Sequence, residues 1–170
     1  MTEIVREDYC DAMARLGAAV SIVTTDGPAG RAGFTASAVC SVTDDSPTLL
    51  VCMNRASSAY ASVTANKIVC VNVLSAQQEP LSRLFGSKAP ARERFAAAVW
   101  STLETGAPVL ADCAVAFDCR IANVTTVGTH DVLFCRVVAL QTGPTENLIY
   151  LGRAYHSVRA SLEPRQQLQT

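Results

Sequence analysis

The sequence predicts a mostly antiparallel β-barrel with short flanking helices. About seven apolar runs of strand length are separated by turn residues, and the helical stretches between them are short. No regular alternation of strand, helix and strand occurs, so a doubly wound sheet is not expected. The glycines at 27, 30 and 33 lie between two strands, where they build a hairpin instead of a dinucleotide-binding turn.

The elements follow in order. In "EDYCDAMARLG", Tyr9, Ala12, Met13 and Leu16 recur at helical spacing, and Gly17 is placed to stop that first helix. "AVSIVTTD" is a strand, and "DGPAGRAG" turns it into the next, "GFTASAVCSVT". "DDSPTLLVCMN" places Pro47 at the head of a continuous apolar run, the pattern of a strand buried on both faces. "SSAYASVTANK" predicts a helical turn capped by Ser57 or Ser58, and "IVCVNVL" the following strand.

"SAQQEPLSRLFGSK" and "APARERFAAAVW" are helical, punctuated by Gly86 and Pro90. "CAVAFDCRIANVTTVG" and "HDVLFCRVVALQTG" make two long strands joined near Gly128, and "NLIYLG" supplies the last. A single domain is expected over 1–160, with a polar, frayed tail over 161–170.

Composition narrows the function. The 170 residues are 49% hydrophobic and 17% charged, a globular chain with a thin polar shell and a weak hint of surface hidden against a second subunit. A net charge of -1 gives no basic face for nucleic acid. No apolar run approaches the roughly 20 residues of a membrane span, and the N-terminus carries acidic residues without a signal-peptide core, so a cytoplasmic location is expected. Of the seven cysteines, most sit in apolar runs such as "SAVCSV" and "IVCVNV", as packing residues in a reducing compartment. No C-x-x-C occurs and neither His lies near a Cys, so no metal site is expected.

The ribbon "GRAGFTASAVCSVT" is the first candidate for chemistry. As one extended strand it sets Phe34, Ala36, Ala38, Cys40 and Val42 on one face, and Thr35, Ser37, Val39, Ser41 and Thr43 on the other. Alternating hydroxyls also describe a solvated strand face. Small residues, however, let a planar ring or a phosphate approach the main chain.

A second corner, "CMNRASSAY", gathers Asn54, Arg55, Ser57 and Ser58 where a strand opens into a helical turn, an anion site or ordinary capping. In "LFGSK", Phe85 and Gly86 end a helix, with Ser87 and Lys88 behind them. His130 follows a glycine at a hairpin, where a side chain is re-aimed; His156, with Arg153 and Tyr155, forms a polar cluster after the last strand. Hydrolysis is disfavoured: Asp131 adjoins His130 on a strand, so the two side chains diverge, and no nucleophile elbow exists.

The runs "GFTASAVCSVT", "SPTLLVCMN", "CVNVLSAQQEPLSRLFG", "ERF", "VGTHDVLFC" and "YHSV" cover nearly the whole chain. In order and spacing they resemble the short-chain flavin reductases, the reductase components of two-component flavin-dependent monooxygenases. The long ungapped stretch over the first two runs leans towards the pyrimidine-utilisation branch, ahead of the 4-hydroxyphenylacetate branch.

The resemblance implies a Greek-key split barrel, a homodimer, that binds FMN or FAD and oxidises NADH or NADPH by direct hydride transfer, then supplies reduced flavin to a partner monooxygenase. It implies that Thr35, Ala36, Ser37, Ala38, Ser41 and Val42 contact the ring and ribityl chain, and that Cys52, Met53 and Asn54, with Ser57 and Ser58, hold the ribityl and phosphate region. Phe85, Gly86 and Ser87 would close over the phosphate. His130, with Arg153 and Tyr155, would meet the nicotinamide, His130 as a positioner or proton donor. The rival reading is a split barrel that holds a flavin or haem without turning it over, as a sensor or carrier.

Overall fold

The computed structural model describes residues 4–144 and 146–159, so the expected tail over 161–170 lies outside the described residues. Twelve strands are present among them: β1 (Ala18–Ala19), β2 (Ser21–Thr25), β3 (Ala32–Ala36), β4 (Val39–Thr43), β5 (Thr48–Asn54), β6 (Ile68–Val73), β7 (Trp100–Thr102), β8 (Pro108–Leu110), β9 (Val115–Val127), β10 (His130–Thr142), β11 (Glu146–Leu151) and β12 (Ala154–Arg159). Four short helices accompany them: α1 (Arg6–Met13), α2 (Tyr60–Asn66), α3 (Glu79–Phe85) and α4 (Ala91–Ala96). Every strand pairing is antiparallel, as the sequence predicts.

Seven strands form the main sheet in the order β3-β2-β6-β9-β10-β5-β4. β3 and β4 follow one another in the chain yet occupy opposite edges. Ser37 and Ala38 cross between the edges, and the Cys52 amide donates to the Ala38 carbonyl at 3.0 Å. The sheet therefore curls into a barrel with a seam at Ser37–Ala38. Phe34 to Thr43 is consequently two strands, not the single ribbon that its alternation suggests. Strict alternation fits one strand or two strands separated by a bend of two residues, because the bend preserves the count.

Packing occurs in two layers. Val23, Phe34, Val51, Met53, Val63, Val71 and Leu133 fill the barrel. Ile22, Cys70, Leu74, Leu81, Phe85, Phe95 and Val109 form a second core outside it. All five residues of β2 are buried because one face meets each layer. β5 instead alternates: Leu49, Val51 and Met53 are buried while Leu50 and Cys52 are partly open, so it is not buried on both faces as its apolar run suggests.

Phe85, Phe95 and Trp100 stack in the outer layer with ring centroids 5.0–5.7 Å apart. Each such pair contributes about 0.5–1.5 kcal/mol beyond its buried area. Trp100 begins β7 instead of ending a helix, and its Nε1 donates to the Phe95 carbonyl at 2.9 Å. Gly152 and Arg153 both take positive φ and make a two-residue turn, which pairs β11 with β12. β12 is thus an additional strand where the sequence suggests only a polar cluster.

α1 ends at Met13, before Gly17, and buries none of its residues. The cap of α2 is Ala59, with no side-chain capping bond; the Ser57 hydroxyl accepts from the Ala59 amide instead. Cys40 is exposed, unlike the fully packed Cys70, Cys119 and Cys135. Burial pushes the Cys135 thiol up to about 12, so it stays protonated and inert.

Asn72 ties the layers together. It is fully buried, accepts from the Leu110 amide at 2.8 Å and donates to the Ile22 carbonyl at 3.1 Å. Asn72→Ala strands the Leu110 amide and is expected to cost about 1–3 kcal/mol, measurable as a lower urea midpoint with an unchanged slope.

Candidate active site

A cavity of about 520 Å³ opens at the barrel seam. Its floor is the end of β3 and the seam itself, Phe34 to Ala38. One side is the corner after β5, with Cys52, Asn54, Ala56, Ser57 and Ser58; the other is the end of α3, Phe85 to Lys88, backed by Arg94. His130 stands at the start of β10.

Local sequence explains each wall. Gly33 lets β3 press against α3: a Cβ there would lie 2.8 Å from Phe85 Cε1 and 3.1 Å from the Val23 carbonyl oxygen. The Thr35 hydroxyl donates to the Ser82 carbonyl at 2.7 Å, which fixes the last turn of α3 over β3. Ser37, at the seam, stays exposed. In the β5 corner, the Asn54 side chain accepts from the Ala56 amide at 2.8 Å, and the Arg55 amide donates to the Thr129 carbonyl at 3.1 Å. That last bond joins the corner to the β9–β10 turn, whose Gly128 has positive φ.

His130 pairs with Asn54 across the ladder, and its Nδ1 lies 2.9 Å from the Thr129 hydroxyl. Asp131 points the other way. It is buried, and it accepts from Tyr60 Oη and from the Thr126 hydroxyl, each at 2.8 Å. The hydrogen bond from Tyr60, then that from Thr126, holds its carboxyl below the ordinary value, and the same bond raises the Tyr60 phenol. Asp131 is therefore an anchor beneath the corner, with no carboxylate presented to His130.

Of the residues singled out in the sequence, Thr35, Ala36, Ser37, Ala38, Cys52, Asn54, Ser57, Ser58, Phe85, Gly86, Ser87 and His130 line this one cavity, as does Lys88. Ser41 and Val42 lie on exposed β4, outside it, because the seam turns the ribbon away. Met53 is fully buried in the barrel core. Arg153 pairs with Asp11 of α1 at 2.5 Å and lines a neighbouring hollow with Ser37 and Ala38, whereas Tyr155 lies 3.0 Å from the Ser82 hydroxyl of α3 with Arg83 over its ring; neither lines the cavity itself. Phe34, Ala56 and Arg94 also line the cavity, though none was among the site residues singled out from the sequence. Arg94 belongs to the run "ERF", but nothing in that run tells a buried arginine from a solvated one.

Chemically, the cavity offers a wall of small residues, exposed hydroxyls and two cations at one end, with no carboxylate among its lining residues. A flat, hydrogen-bonding ligand with an anionic tail fits that distribution.

The chain belongs to the family defined by the flavin reductase like domain, whose model matches residues 13–159. It is 77% identical over 159 residues to an FMN reductase (NADH) RutF of Bradyrhizobium diazoefficiens, covering 93% of this chain and 88% of that protein. A protein of the same name from Ancylobacter novellus is 64% identical over 161 residues, covering 94% and 89%. Among solved structures, a candidate flavin reductase of Haemophilus somnus superposes with a TM-score of 0.89 at 48% identity, over 91% of this chain and all of that one.

Because Asp131 titrates below its ordinary 3.8 in the fold, its contribution to stability is present above that pH and is lost as pH falls through the lowered value. Asp131→Asn is expected to lower stability at neutral pH and to flatten the acid limb of a stability-against-pH curve. Parallel curves for variant and wild type would exclude this role.

Proposed function

We propose that this protein is an NADH-dependent flavin reductase that takes FMN as its flavin and passes the reduced product to a separate monooxygenase. One observation carries the reading: most of the small and hydroxylated residues singled out in the sequence line one open cavity, in a chain 77% identical to an FMN reductase (NADH). Reduced FMN must leave to reach another protein. A site open on one side, with no β-α-β pocket around it, suits a ligand that exchanges.

When bound, FMN supplies the electron-accepting ring. The protein's own residues bind and orient. Ala36, Ser37 and Ala38 form the surface against which a planar group lies, since no bulky side chain keeps it from the main chain. Ser57 and Ser58 add hydroxyls on the β5 side, and Phe85, Gly86 and Ser87 bound the anionic end. His130 is exposed, its Nδ1 occupied by Thr129, which leaves Nε2 free to position a carboxamide or hold a proton at the lip. Proximity and excluded water carry the rate, without a covalent protein intermediate.

We also infer that a second copy covers the bare face of α1. Tyr9, Met13 and Leu16 are exposed there, beside an apolar hollow of about 880 Å³ that shares Ser37 and Ala38 with the flavin cavity. A cytoplasmic, reducing setting suits seven unpaired cysteines. Sedimentation should show a dimer in the wild type, and Met13→Asp should shift it towards monomer while weakening FMN binding.

Steady-state oxidation of NADH and of NADPH with FMN, FAD and riboflavin in turn tests the activity and both preferences. His130→Ala is expected to raise the KM for NADH about tenfold and lower kcat modestly, with FMN affinity nearly unchanged. A variant that loses FMN but keeps its NADH kinetics would place His130 on the flavin side.

A further inference from the structure

We propose that Tyr60 is a positioning residue for hydride transfer: acting through the side chain of Asp131, it fixes His130 relative to the corner after β5. This role rests on the flavin-reductase reading and adds to it a residue that lies outside the cavity.

Tyr60 is not among the lining residues. It begins α2 directly after the corner that carries Ser57 and Ser58, and it is tied at both ends. Its amide donates to the Ser57 carbonyl at 3.0 Å, so its backbone moves with that wall. Its phenol donates to Asp131 Oδ2 at 2.8 Å, and Asp131 is the chain neighbour of His130. The Thr126 hydroxyl donates to Oδ1 of the same carboxylate at 2.8 Å. Between its two ends the Tyr60 ring packs against the barrel core. One side chain thus bridges the wall after β5 and the lip at His130.

His130 needs such a brace. It is exposed, it is the first residue of β10, and its pairing with Asn54 is the last rung of the β5 ladder. Strand ends open more readily than strand centres. The nearest fixed side chain is Asp131, one residue or about 3.3 Å of strand away. Successive side chains on a strand point to opposite faces, so holding the Asp131 carboxylate inward holds the His130 imidazole outward. That carboxylate is buried and can only accept, so it depends on both hydroxyls. Hydride transfer is sensitive to such placement: a shift of about 1 Å from a remote mutation costs about a hundredfold.

The test is a double-mutant cycle at saturating FMN with wild type, Tyr60→Phe, His130→Ala and the double variant. It reads kcat and KM for NADH, with the Kd for FMN from fluorescence titration. Tyr60→Phe keeps the ring in the core and removes only the hydroxyl. It is expected to raise the KM for NADH about threefold while the Kd for FMN changes less than about twofold. In the His130→Ala background the same substitution is expected to change that KM less than about 1.5-fold, because no imidazole is left to position.

A general loosening of the fold would move the KM by one factor in both backgrounds. Equal factors therefore overturn the proposal, as does an unchanged KM in Tyr60→Phe or a loss of FMN affinity larger than the loss for NADH. Should Tyr60→Phe fail to fold, Thr126→Val removes the other donor to Asp131 and takes its place in the cycle, with the same outcome expected and the same outcomes overturning it. An active wild type with an additive cycle sinks the role of Tyr60 alone. Wild type that oxidises NADH with neither FMN, FAD nor riboflavin sinks the flavin-reductase reading and the role of Tyr60 with it.

Discussion

Closure of the barrel at Ser37–Ala38 is the constraint on which the rest of the structure depends. Because β3 and β4 are continuous in the chain but lie on opposite edges of the sheet, the two residues between them span the gap outside any ladder. Large side chains at this crossing would either fill the cavity or hold the edges apart. Small ones leave main chain accessible at this bend, where the Ala38 carbonyl is held by the Cys52 amide and no bulky side chain covers the rest. The cavity is thus a by-product of how the sheet closes, and the residues flanking the seam become its floor.

The outer layer turns that floor into a site. α3 and α4 are too short to be stable alone, and they persist because Phe85, Phe95 and Trp100 pack as a group over the outer face of β2. Gly33 and Thr35 bring α3 close to β3, the first by lacking a Cβ and the second by donating to Ser82. Arg94 spans the same junction from the other side through the Gly33 and Ser87 carbonyls. Geometry and charge are therefore coupled: the side chain that holds the wall in place is also the one that leaves a positive charge behind it.

Much of this was legible in the sequence. Alternating apolar runs gave the antiparallel barrel, the glycines at 27, 30 and 33 gave a hairpin, and the motifs gathered at the seam, after β5 and after α3 appear in one cavity. The misses have physical causes. A bend of two residues preserves alternation, so the break between β3 and β4 was invisible, and with it the displacement of Ser41 and Val42. β12 was hidden because Gly152–Arg153 lacks the usual Asn-Gly signature, although both residues take the positive φ that such turns need. Arg94 was hidden because nothing in one sequence distinguishes a buried helix arginine from a solvated one. Burial depends on what meets it in the fold, here the Gly33 and Ser87 carbonyls, 61 and 7 residues upstream.

The charge distribution bears on how firmly such a site holds its ligand. Cations sit at one end only, and the floor offers small residues and hydroxyls without charge. Attraction to an anionic tail is thus strong where the ring is not, and the ring end stays open to a second molecule and to solvent. A redox change confined to a ring at the open end would alter little at the charged end. That division suits a protein whose product must leave after each turnover, and it follows from burying one arginine behind the wall while the floor remains small and uncharged.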